Sequence, residues 1–318
     1  MEVSGKKPAL VETLVLSAGA VVFFELSSFI VIFVIPLAIL FKRRGFSAGL
    51  GGCMLAAAAI TAIKLYQMRA APRYDFLGLA VCVPLSFLIG LAVLEAPRFA
   101  RLRTWQRIVY ASLAGSSVYL PLLYLLVTGD SEIIAVLYAQ VETTMSALRG
   151  SGNPGILVPS VEEIVNLSRR VFLNTFLPVY FFTLAANWVI GVKMAMRLSG
   201  KTGEFPAYRS FRMPEKAVYV FLVSWALVFM SLFRDLGVVS IAAWNCALLV
   251  SILYMCQGVG IIKVRMESVP RPVRLIAALM CVVMAFTMGV IAVLGCMAGV
   301  SLLGVSELWI NYRNKTRS

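Results

Sequence analysis

The sequence predicts an all-α fold: a polytopic integral membrane bundle with about 8–10 transmembrane helices and one outer amphipathic segment. Three observations predict it. Of 318 residues, 60% are hydrophobic and only 14% charged. Apolar runs of spanning length recur along the chain, and Lys and Arg gather in alternate connections between them.

Composition comes first. A soluble domain is about half apolar and about a quarter charged, whereas this chain has a mean hydropathy of +0.89. The whole of 1–318 therefore reads as a single transmembrane domain. Lys6 and Lys7 ahead of "SAGA" at 17–20 imitate a secretory signal, but the apolar run continues to Phe41, so a retained first span is expected.

The runs come second. A crossing needs about 20 apolar residues, and the stretches 46–63, 75–95, 108–128, 171–196, 217–233 and 237–260 qualify. Pro8–Phe41 and Leu275–Ile310 are longer, at 34 and 36 residues. Each would reach about 50 Å as one helix, against a hydrocarbon core of about 30 Å. Each is read as a hairpin of two shorter helices, the first turning near Glu25–Ser28.

Charge comes third. With ten crossings and both termini cytoplasmic, the inner segments hold 22 of the 29 Lys and Arg; with each long stretch crossing once, the split becomes 17 to 12. The positive-inside rule prefers the hairpins, and eight crossings is the fallback. The same rule accounts for the net charge of +14. No basic run is interleaved with aromatics on a soluble module, so nucleic acid is excluded as a partner.

The one sizeable extramembrane segment, 129–170, is expected outside. Ile134, Leu137, Val141, Met145 and Leu148 recur at helical spacing, "GSGNPG" at 150–155 breaks the pattern, and Ser160 with Glu163 forms a capping box. The segment reads as a helix on the membrane surface or over the bundle, with a lid over a cavity as the alternative.

Catalytic and metal chemistry find little to work with. Histidine is absent, which removes triads and His-ligated metals. The six cysteines fall in apolar stretches without a CxxC pair. No phosphate loop and no paired carboxylates on one helix face occur, so no catalytic residue, metal or cofactor is expected.

Small and polar residues remain. Gly45, Gly49, Gly52, Ala56 and Ala59 form a ridge at steps of four and three, and Gly295 with Gly299 a second small pair, both patterns for close helix packing. Asn187, Asn245 and Gln257 lie inside apolar spans, where an unpaired amide is costly. On a helix Asn245 shares a face with Leu249 and Cys256, while Gln257 sits beside Tyr254 and Gly258. Glu307 near the final end is expected as an interfacial ion pair with Arg313 or an anchor with Trp309 and Tyr312. Glu12, Glu25 and Glu95 fall at span ends and read as solvated carboxylates.

Asn245, Tyr254 and Gln257-Gly258 ahead of a basic end, "FRMP" at 211–214, and "LLGVSELWINYR" with Leu303, Gly304, Glu307, Trp309 and Arg313 together resemble the YybS-like bacterial membrane proteins. Asp is expected at the acidic position, where this chain has Glu307. The likeness is best over about 160–313. It implies a multi-pass protein of the bacterial inner membrane and supplies no catalytic residues. The family is distantly similar to the substrate-binding components of energy-coupling-factor vitamin transporters and to the cell-shape protein MreD. In place of the transporters' Ala-x-x-x-Ala in the first helix, this chain has Ala9, Thr13 and Ser17.

Two functions follow as expectations. The first is a small-molecule binding or transport component without its own ATPase, its ligand held among Asn187, Asn245, Tyr254, Gln257 and Gly258. The second is a non-enzymatic scaffold for envelope or division proteins, with membrane-protein partners. Convergent amides around a cavity would favour the first, and a solid core with exposed small-residue grooves the second. The lipid bilayer is the partner common to both.

Overall fold

Turn residues and prolines set the helices. The computed structural model describes residues 6–26, 32–67, 69, 74–119, 132–150, 160–200, 211–267, 269–287, 289–310 and 312–313. Helix α1 runs over Lys6–Glu25, α2 over Ile35–Arg44 and α3 over Phe46–Gln67. Gly45 alone separates α2 from α3. Its φ of 87° is in the left-handed region that a side chain disfavours, so the chain turns back there without a loop. Helix α4 (Tyr74–Glu95) stops ahead of Pro97, and α5 (Thr104–Ser116) follows after one 3-10 turn.

Helix α6 spans Glu132–Gly150 and α7 Val161–Leu198. The cap of α7 is reciprocal: the Glu163 N–H donates to Ser160 Oγ at 3.1 Å, and the Ser160 N–H to Glu163 Oε2 at 2.9 Å. From this cap the 38 residues of α7 run unbroken, about 57 Å and longer than any bilayer core. Helices α8 (Ala217–Phe233), α9 (Val238–Glu267), α10 (Arg271–Thr287) and α11 (Gly289–Ser306) complete the chain.

The fold is an all-helical bundle, with no strand among the described residues. By length and composition α3, α7 and α9 can each cross a membrane, and shorter apolar helices cover Ala80–Glu95, Ala217–Phe233 and Val293–Ser306. Both long apolar stretches are interrupted. The first breaks after Glu25 and resumes as α2, whose ten residues reach only about 15 Å; Ser27 and Ser28 lie outside the described residues. The second breaks at Gly289, which has a φ of 70°. Two other expectations also fall partly outside the described residues: the breaker at 150–155, of which only Gly150 is described, and the end of the span over 108–128.

The chain divides into two units, Met1–Gly203 and Glu204–Ser318. In the first, the glycine ridge seats helix α2. A Cβ on Gly49 would strike the Phe41 ring, and one on Gly52 would lie 2.5 Å from Leu40 and 3.1 Å from Ser17 Oγ of α1. On α7, a Cβ at Gly191 would lie 2.5 Å from that of Ala38. Three helices meet at Tyr180 of α7. Its hydroxyl donates to the Ser86 carbonyl at 2.8 Å, and its ring stacks on Phe87 with centroids 4.6 Å apart. Gly90 of α4 and Gly115 of α5 leave the notch this hydroxyl fills. Helix α6 packs on α7, burying Ile134 and Met145.

In the second unit, α9 lies between α8 and α11. On the α8 side, Val228 packs with Ala243 and Ala247, and the Trp225 indole donates to Ser251 Oγ at 3.1 Å. On the α11 side, Ser301 Oγ donates to the Ser251 carbonyl at 3.0 Å.

Candidate functional site

Three polar side chains of the second unit, Gln257, Glu307 and Arg313, converge where α9 crosses α11. Gly258 and Gly304 make the crossing possible: a Cβ on Gly258 would collide with the Val300 carbonyl, and one on Gly304 with the Tyr254 carbonyl. The two backbones touch, as small-residue crossings in membranes do.

Gln257 stands beside this contact, 2% exposed. Its Oε1 accepts from the Met213 N–H at 2.7 Å, in the segment entering α8. Its Nε2 donates to the Gly304 carbonyl at 3.0 Å and to Glu307 Oε2 at 3.0 Å. Glu307 in turn pairs with Arg313, Oε1 to Nε at 2.9 Å, with side chains 3% and 8% exposed. Arg313 Nη2 closes the circuit, donating to the Phe211 carbonyl at 2.9 Å and to the Gln257 carbonyl at 3.3 Å. Burial lowers the Arg313 guanidinium pKa from its ordinary value, Glu307 opposes this, and nearby Arg212 adds to it.

The arrangement is a clasp. It ties together the strand of chain before α8, the middle of α9 and the C-terminal end. A buried ion pair depends on further hydrogen bonds around it, and here Gln257 serves Glu307 Oε2 while two carbonyls accept from Arg313 Nη2. "FRMP", Gln257-Gly258 and "LLGVSELWINYR", far apart in sequence, supply all of its members. Met213 and Phe211 act through backbone groups, which no side-chain pattern announces.

The other site candidates lie elsewhere. Tyr254 is fully buried against Phe221, ring centroids 5.6 Å apart, and its hydroxyl has no hydrogen-bond partner among the described residues. Asn245, about 18 Å up α9 from Gln257, donates to the Ile241 carbonyl of its own helix at 2.8 Å. Asn187 belongs to the first unit and donates to the Thr183 carbonyl of its own helix at 2.7 Å. Trp309 is 72% exposed and stands apart from the clasp.

The carboxylates expected to be solvated are engaged instead. Glu95 accepts from Lys42 Nζ at 2.8 Å and from the Trp188 indole, and its side chain is only 8% exposed. Glu12 pairs with Arg43 and Arg44, at 2.5 and 2.6 Å. Glu25 pairs with Lys64 at 2.9 Å. Span-end positions brought them near bases on neighbouring helices, a pairing that only the packing of α1–α4 and α7 creates. No cluster of three or more potential metal ligands occurs among the described residues.

The family model described as "Predicted membrane protein (DUF2232)" matches residues 13–297. The match takes in residues 13–159, beyond the region of best likeness expected from the motifs, and stops short of the closing motif at 302–313. The YybS-like resemblance agrees with it. No curated protein and no solved structure matches the chain.

Proposed function

The chain belongs to the DUF2232 family of predicted membrane proteins, and within that setting we propose a non-enzymatic scaffold that holds other membrane proteins through its helices. One contrast supports this reading. Gly258 and Gly304 are filled by neighbouring backbone, while beside Gly295 and Gly299, their own helix backbone aside, no atom of the described residues lies within 4 Å of the position a Cβ would take. The stretch Val293–Gly299 is exposed throughout. A small-residue pair spaced by four is the geometry that admits a second helix at close range, and this chain uses such pairs internally for that purpose. Gln257, the most deeply buried amide of the second unit among the described residues, spends both ends of its side chain on Met213, Gly304 and Glu307. The setting proposed is the bacterial inner membrane with both termini cytoplasmic, which the basic residues at 42–44 and 97–107 support.

The transport reading draws support from Tyr254, whose buried hydroxyl could receive a ligand's polar group. One experiment separates the two. A photoreactive residue is placed at Gly295 or Gly299 of the full chain in living membranes, with Met54, 65% exposed on α3, as the control. A discrete cross-linked membrane protein, or a second copy, from 295 and 299 only is the expected result. No discrete product, together with a metabolite retained through purification in native lipid and lost in Tyr254→Phe, would overturn the scaffold in favour of transport.

A further inference from the structure

One end of the first unit collects positive charge and neutralises only part of it. Contacts define that end: Glu12 of α1 meets the C-terminus of α2, Lys42 meets the C-terminus of α4, and Arg107 of α5 donates to the Leu94 carbonyl. Lys42, Arg43, Arg44 and Arg107 are engaged by these partners. Arg98, Arg101 and Arg103 are different. They crowd the eight-residue connection 96–103 between α4 and α5, which has no acidic residue, and all three are exposed with no carboxylate partner among the described residues.

The surroundings say what they face. Along α5, Tyr110 and Leu113 are 51% and 48% exposed, so an apolar outer surface begins within two turns of the arginines. Phe99 stacks on Tyr110 with ring centroids 6.1 Å apart. Aromatic residues between a basic rim and a lipid-facing helix mark the headgroup level of a bilayer. A soluble anion or a nucleic acid would leave the apolar side of this corner unexplained; a lipid meets both sides.

We infer that the 96–103 connection is a binding site for anionic phospholipid, the phosphate seated among Arg98, Arg101 and Arg103 and the acyl chains lying along α5. This goes beyond the scaffold reading and does not depend on it. Guanidinium groups suit the purpose because each offers a planar pair of donors to phosphate oxygens.

The test is native mass spectrometry of the full chain released from nanodiscs of equimolar phosphatidylglycerol and phosphatidylcholine. The wild type is expected to retain phosphatidylglycerol preferentially. The variant R98Q/R101Q/R103Q loses that preference, by up to about fivefold per arginine, and the R→K triple keeps most of it. A charge-matched control, R69Q/R169Q/R170Q at the other end of the unit, behaves as wild type. Arg98, Arg101 and Arg103 are exposed positions, and circular dichroism verifies the fold of every variant. Equal retention of both lipids by the wild type would overturn the inference, as would a preference surviving in R98Q/R101Q/R103Q. Displacement of the lipid by millimolar inorganic phosphate would make this a soluble-anion site and overturn it too.

Discussion

Gln257 Nε2 lies 3.0 Å from Glu307 Oε2, joining the middle of α9 to the end of α11 across fifty residues of chain. The amide is the hub of the clasp, because the same side chain also holds the Met213 N–H and the Gly304 carbonyl. Gln257→Leu keeps the volume and strands these groups. Buried donors and acceptors left unmade cost about 1–3 kcal/mol each, so a loss of about 3 kcal/mol is expected in detergent unfolding. Asn245→Ala, whose amide donates to the Ile241 carbonyl of its own helix, is expected to cost about 1 kcal/mol. Equal losses would show that the clasp is not the distinctive feature of the second unit.

Glu307 and Arg313 are each other's counter-charge in a buried setting. Removing one partner of such a pair costs about 3–5 kcal/mol, whereas removing both costs less than the sum. Glu307→Gln and Arg313→Gln should each destabilise strongly, and the double variant should recover part of the loss. Additive effects in the double-mutant cycle would mean that the two side chains act separately.

The glycines divide into filled and open positions. Gly258→Ala and Gly304→Ala drive a methyl into the carbonyls of Val300 and Tyr254. Backbone cannot yield as a side-chain tip can, so losses above about 2 kcal/mol are expected. Gly295→Leu and Gly299→Leu meet open space and should leave stability within about 0.5 kcal/mol. On the scaffold reading the leucine variants abolish cross-linking of a partner, a readout separate from folding.

Tyr180 and Gly90 make a lock in the first unit. A Cβ on Gly90 would lie 2.6 Å from the Tyr180 hydroxyl, with Leu184 next at 3.1 Å. Tyr180→Phe removes one hydrogen bond, at about 1 kcal/mol, and also removes the obstruction. Gly90→Ala should therefore be markedly less harmful in the Tyr180→Phe background than alone. Thermal melts of the two single variants and the double variant measure this directly.

Much of the fold could be read along the chain. Hydropathy marked α3, α4 and α8 close to their observed bounds and the cores of α7 and α9, which extend ten residues earlier and seven residues later, and Ser160 with Glu163 marked the start of α7. The breaks in the two long stretches were legible from length, since about 50 Å of helix exceeds the bilayer. The division of the chain into two units was not. Nor were the partners of Glu95, because Lys42 and Trp188 belong to helices whose neighbourhood no local pattern encodes.

By itself the sequence determined that this is a helical membrane protein, because apolar content and run length are properties of each segment alone. It also named Asn187, Asn245, Gln257 and Glu307 as polar residues in apolar surroundings, and Arg313 as a partner for Glu307. Only the tertiary structure decided that Gln257, Glu307 and Arg313 meet one another, while Asn245 stands about 18 Å away along the helix of Gln257. The reason is geometric. A polar side chain's partner is set by which helices cross and how closely, and here two glycines at one crossing bring α9 and α11 near enough for an amide, a carboxylate and a guanidinium to close a single circuit.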